Sequence, residues 1–151
     1  MSDRFRIPKH CYVRWQAALA VLEDLEEDVD APFDMGSFAD DFTLWERTNG
    51  CGSAACFAGY ISVAPYCRAL DYPEGDTGNG AEAWLLGVRG GWINRTQECR
   101  DLYWQLFHER NDQGSRPDTL GYLKEKLKRL FHQSTGKRLT APLTFYVEEA
   151  S

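Results

Sequence analysis

The residues best suited to chemistry lie in one short segment, CGSAACFAGY at residues 51–60. A cysteine at a helix N-terminus is a potential nucleophile, because the dipole and the free N–H groups there favour the thiolate. Cys51 is therefore the candidate for a cysteine-dependent hydrolase. Such enzymes also need a histidine base and a group that orients it. The chain has only His10, His108 and His132, and none lies in a strand-like apolar setting. We therefore predict no catalytic residue.

The same segment is a poor metal site. Cys51 and Cys56 are spaced Cys-x4-Cys with no second matching pair, whereas structural zinc sites combine two close pairs. Residues five apart on a helix also do not point the same way. The sequence predicts no metal and no cofactor. Five cysteines without a secretory leader instead indicate free thiols in a reducing cytoplasm, with Cys56, Cys67 and Cys99 as small core residues.

Two further patterns are similar to those of binding sites, but the arrangement of their residues does not fit such a site. The loop GDTGNG at 75–80 lacks the Gly-Lys-Ser/Thr ending of a phosphate-binding loop. A basic run near the C-terminus scatters around its helix and has no interleaved aromatic platform, in a chain of net charge −6. We expect a solvated helix face there and no direct nucleic-acid binding. The run consists of Lys124, Lys126, Lys128 and Arg129.

An acidic and aromatic segment is the strongest candidate for an interaction surface. Between Glu23 and Glu46 the chain has ten acidic residues and no basic one. Such mixed surfaces steer a basic partner electrostatically and anchor it through aromatic side chains. The predicted interaction residues are Glu23, Asp24, Glu26, Glu27, Asp28, Asp30, Phe38, Asp40, Asp41 and Phe42.

The elements that must position these residues are mostly helical. Apolar residues recur at three and four over 11–27, 52–64, 81–88, 95–110 and 116–133. The second of these is apolar or small on nearly every side, so we expect it at the packing centre, with Pro65 ending it. Asn94 and Ser115 are predicted N-caps.

These elements predict one domain over residues 1–151, a compact bundle of about five helices. The alternating runs at 4–7 and 143–147 predict a two-stranded ribbon formed by the termini. No apolar run is long enough to cross a bilayer, and no signal peptide is evident. We therefore expect a soluble, cytoplasmic protein of unknown oligomeric state.

One family resemblance rests on the segment around Cys51. The residues Phe33-Asp34-Met35, Trp45 and the run 51–60 resemble a "DM…W…CGTxxCxAGW" pattern of small, uncharacterised bacteriophage and bacterial proteins. Residues 83–87 are similar to the "A..LLG" segment that follows it. The chain departs from the pattern at Ser53 and Tyr60. The resemblance covers roughly residues 11–110 and implies a phage setting but no activity.

These observations lead to one expectation with two alternatives. The expectation is a non-enzymatic accessory protein that binds a host protein with a basic surface, as an inhibitor or in counter-defence. The alternatives are a hydrolase that uses Cys51 and a protein that sequesters a small molecule between its helices.

Overall fold

A computed structural model of the protein describes residues 6–28, 57–73, 80–88 and 96–141. The chain is mostly helical, as the sequence predicted. Within the described residues the helices are α1 (Tyr12–Glu27), α2 (Phe57–Val63), α3 (Pro65–Arg68), α4 (Ala81–Leu86), α5 (Gln97–Leu102) and α6 (Arg116–Thr135). A 3-10 turn, Lys9–Cys11, precedes α1, and a π-helix, Tyr103–Phe107, continues α5. A second 3-10 turn, Glu109–Asn111, follows.

Helix α1 is the packing centre of the described residues. Its residues from Ala17 to Leu22 are all buried, on every side of the helix, and it contacts α2, α3, α4 and α6. The segment 52–64 was predicted at the packing centre, and five of the seven residues of its described part, α2, are buried. Val63 at the end of α2 is 54% exposed. Alanines at 17, 18 and 20 let neighbouring helices approach α1 closely from several directions.

Helices α1 and α6 pack antiparallel. Arg116, at the start of α6, donates hydrogen bonds to main-chain carbonyls at the end of α1. Phe131, near the end of α6, packs edge-on against Tyr12 with ring centroids 5.2 Å apart. The predicted apolar stripe of α6 is confirmed, because every member is buried. Those residues are Leu120, Leu123, Leu127, Leu130 and Phe131.

Pro65 ends α2 as predicted, and it also begins the next helix. Ala64 is extended, with φ −66° and ψ 128°, because a residue before proline disfavours helical geometry. Proline is well suited to the first turn of a helix, where its missing N–H costs nothing. The chain therefore bends sharply between α2 and α3.

Side chains of α1 also satisfy the carbonyls at the end of the short helix α4. The indole Nε1–H of Trp15 donates to the carbonyl of Leu85 at 2.9 Å, and Arg14 donates to that of Trp84 at 2.8 Å. Gly87 ends α4 with φ +72°. A Cβ at Gly87 would lie 3.1 Å from the Cys11 sulfur. Glycine fits this position because it adopts the left-handed backbone conformation easily and has no Cβ to approach that sulfur.

Two predicted caps had different outcomes. The Ser115 hydroxyl accepts from the N–H of Asp118 at 3.3 Å, which confirms the N-cap of α6. The N-cap of α5 is Thr96 rather than Asn94, because the Thr96 hydroxyl accepts from the N–H of Cys99 at 3.2 Å. The predicted terminal ribbon falls outside the described residues apart from residues 6 and 7. None of the helices in the described ranges is both long and apolar enough to cross a membrane.

Candidate functional site

Half of the predicted interaction surface lies at the C-terminal end of α1. We call Glu23, Asp24, Glu26, Glu27 and Asp28 the acidic end of α1. These residues lie in the last two turns of the helix and at its C-cap, where the N–H of Asp28 donates to the carbonyl of Asp24 at 2.9 Å. The helix is therefore regular to its end. The other predicted residues, Asp30, Phe38, Asp40, Asp41 and Phe42, lie outside the described residues.

Acids at a helix C-terminus oppose the helix dipole, and α6 supplies the compensation. The antiparallel packing brings the N-terminus of α6, with its positive dipole end, beside the acidic end of α1. Arg116 donates to the carbonyls of Leu25 and Asp28, the latter at 2.7 Å. These hydrogen bonds satisfy helix-terminal carbonyls that lack an intrahelical donor.

Lys124 is the second cation at this end. Its Nζ lies 2.9 Å from a carboxylate oxygen of Glu26 and 3.9 Å from one of Glu23. The hydrogen bond to Glu26 is the main reason that the pKa of Lys124 is raised above its usual 10.5, against a smaller opposing effect of burial. Lys124 therefore holds its charge and its partner throughout the neutral range.

Pairing does not neutralise the acidic end. It has five carboxylates, and α6 brings the two cations Arg116 and Lys124 to it. Glu27 and Asp28 are exposed, and their carboxylates have no partner within the described residues. A net negative surface remains available at the end of the central helix.

A half-open groove of about 290 Å³ borders this surface. Its α1 wall consists of Val21, Asp24, Leu25 and Asp28, which share one helix face because they are spaced at three and four. The opposite wall comes from the bend between α2 and α3. That wall consists of Tyr60, Val63, Ala64, Pro65 and Tyr66.

Both tyrosines of the groove are electrostatically coupled to the acidic end. The hydroxyl of Tyr66 donates to Asp24 Oδ2 at 2.7 Å. The pKa of Tyr60 is raised chiefly by burial, while Arg116 lowers it and Asp28 raises it. The groove thus combines an apolar wall with phenol and carboxylate groups. Sequence reasoning predicted the two aspartates but missed the tyrosines, because α2 and α3, which carry Tyr60 and Tyr66, reach α1 only through the tertiary fold.

The described cysteines are core residues. Cys11, Cys67 and Cys99 form no disulfide and are fully buried, which confirms the prediction of small core residues at Cys67 and Cys99. Burial raises the pKa of the Cys11 thiol, with a smaller opposing effect of Arg14, so Cys11 is a poor nucleophile. Cys51 and Cys56 lie outside the described residues. Within the described ranges, no group of three or more His, Cys, Asp or Glu side chains could hold a metal ion.

The basic run on α6 is not the uniformly solvated face that its pattern predicted. Arg129 is exposed, but Lys126 is only 7% exposed and its Nζ donates to the Tyr122 hydroxyl at 2.8 Å. Lys124 is held by Glu26. Lys128 lies 3.9 Å from a carboxylate oxygen of Glu125, so intramolecular contacts involve three of the four cations.

A second exposed surface was missed by the sequence analysis. Trp104 is 47% exposed, and its ring stacks on His108 with centroids 4.0 Å apart. The Arg110 guanidinium lies 5.8 Å from the Trp104 ring centroid. The buried amide of Asn111 donates to the carbonyls of Trp104 and His108. Trp104 falls outside the apolar stripe of its helix, which is the sequence feature that could have indicated an exposed aromatic residue.

No family model, curated protein or solved structure matches this chain. The resemblance to small phage proteins therefore remains a prediction from the motif at residues 51–60, and the function is argued from the acidic end of α1 and its groove.

Proposed function

We propose that this chain is a non-enzymatic accessory protein, encoded by a bacteriophage, that binds and inhibits or modulates a host protein in the host cytoplasm. The binding surface is the acidic end of α1 together with the acidic and aromatic residues that follow it in the sequence. The phage setting rests on the motif resemblance alone. The binding function rests on the acidic end.

One observation carries the proposal, namely the concentration of five carboxylates on the last two turns and the C-cap of a central helix. A helix does not gain stability from acids at this position, and α6 supplies Arg116 and Lys124 beside them. Glu27 and Asp28 remain exposed and without a partner in the described parts of the chain. Because these two carboxylates make no described contact that stabilises the fold, their charge is available to a basic partner.

A pull-down from host lysate tests the proposal. The bait is the full chain, used at low and at moderate salt, because electrostatic attraction between exposed charges weakens as ionic strength rises. We expect capture of a protein with a basic surface, more strongly at low salt. The double substitution Glu27→Gln and Asp28→Asn removes two exposed charges and no described hydrogen bond of the fold, and we expect it to reduce capture at least severalfold.

The matched control is Glu98→Gln. This substitution removes one exposed carboxylate of the same type from the first turn of α5, and we expect it to leave capture unchanged. Capture of no protein, or equal capture by the double variant, would refute the proposal. Neutralising Glu23, Asp24, Glu26 and Glu27 together would be a weaker test, because it also breaks the contacts to Lys124 and Tyr66.

A further inference from the structure

The groove beside the acidic end has two chemically different parts. Val21, Leu25, Val63, Ala64 and Pro65 supply its apolar surface. Val63 stands at the rim, since 54% of its surface is exposed. An occupant that fits this part has an apolar portion that packs between the α1 face and the bend at Ala64.

The carboxylates fix the charge of the occupant. Asp24 and Asp28 are one helical turn apart and both line the groove. Tyr66 occupies one oxygen of Asp24, whereas a carboxylate can accept about four hydrogen bonds. An apolar group that covered both carboxylates would remove them from water, which is costly, and the hydrogen bond from Tyr66 compensates Asp24 only in part. An occupant with a cation at one end therefore fits this part of the groove best.

The groove is large enough for one long side chain. Its volume of about 290 Å³ is at the lower limit of small-molecule sites, which span roughly 300–1,000 Å³. Arginine combines a stem of three methylenes with a planar guanidinium that pairs with carboxylates and stacks on aromatic rings. The chain already uses this chemistry next to the groove, where the Arg116 guanidinium donates to the Leu25 and Asp28 carbonyls.

We propose that the groove between α1 and the α2–α3 bend receives an arginine side chain of the partner protein, with the stem against Val63 and Leu25 and the guanidinium on Asp24 and Asp28. This proposal rests on the proposed function, which it deepens by naming the anchor. A central anchor in a pocket, surrounded by weaker charged contacts, is the usual arrangement of a binding hot spot.

Nitrogen-15 NMR titration of the full chain with two short peptides tests the anchor. The first is an acetylated and amidated Gly-Ala-Arg-Ala-Gly peptide, and the second carries citrulline, which has nearly the shape of arginine but no charge. We expect the arginine peptide to give saturable shifts of the Asp24, Tyr60 and Val63 amides, and the citrulline peptide to bind at least fivefold more weakly. Equal binding of the two peptides, or shifts only elsewhere, would overturn the proposal.

A variant that fills the groove without changing its charge gives the second measurement. Val63→Trp is suitable because Val63 is exposed and the larger ring can cover the groove without entering the core. We expect this substitution to weaken binding of the arginine peptide at least fivefold. Glu27→Gln, outside the groove lining, is expected to weaken binding less and to keep the same shifted amides. A Val63→Trp protein that is folded by NMR and binds the arginine peptide as tightly as the unaltered chain would contradict the proposal.

Failure of this inference can be told apart from failure of the proposed function. Suppose that host lysate yields a partner, and that the Val63→Trp protein captures as much of it as the unaltered chain does. The arginine anchor is then wrong, and the acidic binding surface stands. If the arginine peptide binds in the groove but no host protein is captured, the anchor chemistry stands and the proposed function is wrong. A lysine peptide that binds as tightly as the arginine peptide would overturn the choice of arginine.

Discussion

At the scale of single residues, Lys124 pairs with part of the acidic end. Its ammonium donates to Glu26, and this raises the pKa of Lys124 above 10.5. A cation with a raised native pKa stabilises the fold fully below the pKa of the unfolded chain, and this contribution is lost as the pH rises through the native value. The pair is therefore intact at pH 7, and Glu27 and Asp28 are the acids that remain for a partner.

Thiol reactivity gives a prediction that separates the core cysteines from the candidate nucleophile. Cys11, Cys67 and Cys99 are fully buried, and burial raises the pKa of Cys11. We expect iodoacetamide at pH 8 to leave these three unmodified in the native protein and to modify them in denaturant, as read by peptide mass spectrometry. Native modification of all three at the denatured rate would contradict the described core.

The same experiment bears on the alternative hydrolase. A catalytic thiol at Cys51 would be modified within the first time points at neutral pH, because a thiolate is the reactive form. If Cys51 stays unmodified in the native protein, the hydrolase hypothesis fails. Fast modification of Cys51 alone would favour it over the binding function.

Gly87 allows a prediction about close packing. Gly87 and Gly136 have nearly equal backbone angles, φ +72° and +73°, but only Gly87 has neighbours within 4 Å of an added Cβ. A left-handed residue other than glycine costs about 1–2 kcal/mol, and overpacking adds about 1–3 kcal/mol. We expect Gly87→Ala to lower the free energy of unfolding by about 2–3 kcal/mol and Gly136→Ala by about 1 kcal/mol.

Urea denaturation of both glycine variants measures this difference. Equal losses would show that the 3-10 turn at Lys9–Cys11 does not pack against the end of α4 as closely as described. The Gly136 variant is the control for the backbone strain, which the two sites share.

At the scale of elements, the antiparallel pair of α1 and α6 positions the acidic end. Arg116 belongs to the first turn of α6, where a cation is disfavoured by the dipole of its own helix. Instead, its hydrogen bonds to the Leu25 and Asp28 carbonyls cap the C-terminal end of α1. The two helices therefore stabilise each other at the end where the proposed binding surface lies.

Removing this contact should destabilise the pair. Hydrogen bonds from a charged donor contribute about 1.5–3 kcal/mol when buried, and partial exposure here reduces the value. We expect Arg116→Met to lower the free energy of unfolding by about 1 kcal/mol in urea denaturation. Arg129→Met, an exposed site on the same helix, should change it by less than about 0.5 kcal/mol. Equal effects of the two substitutions would contradict the capping role of Arg116.

The sequence predicted those elements whose periodicity is strong. The repeating leucines and Ser115 define α6, and Tyr12 to Leu25 define α1, because local patterns determine amphipathic helices. It did not predict that α1 occupies the centre. That outcome depends on which elements cover the alanine positions of α1, and hydrophobic spacing within one helix carries no information about its neighbours.

The candidate site was predictable only in part for the same reason. The acids at 23–28 are adjacent in sequence and visible as a cluster. Tyr60 and Tyr66 reach the groove because Ala64 is extended before Pro65, and Arg116 and Lys124 reach it from α6. Contacts between residues more than thirty positions apart require the tertiary structure.

At the scale of the whole molecule, charge is unevenly distributed along the chain, and part of it is paired within the molecule. The chain carries a net charge of −6, and its basic residues at the C-terminal end pair with its acidic segment through Lys124 and Arg116. This pairing links the ends of α1 and α6 and leaves one negative end. Long-range attraction of a basic partner depends on that remaining field, so the rate of association should fall as salt rises.

The central claim is that the acidic end of α1 lies at an interface with a host protein. Photo-crosslinking in host lysate tests it most directly, with p-benzoylphenylalanine replacing Glu27 in one protein, Glu98 in a second and Trp104 in a third. We predict a crosslinked adduct from position 27, weakened at moderate salt, and none of the same mass from positions 98 and 104. An adduct from position 104 or 98 without one from position 27 would contradict the claim.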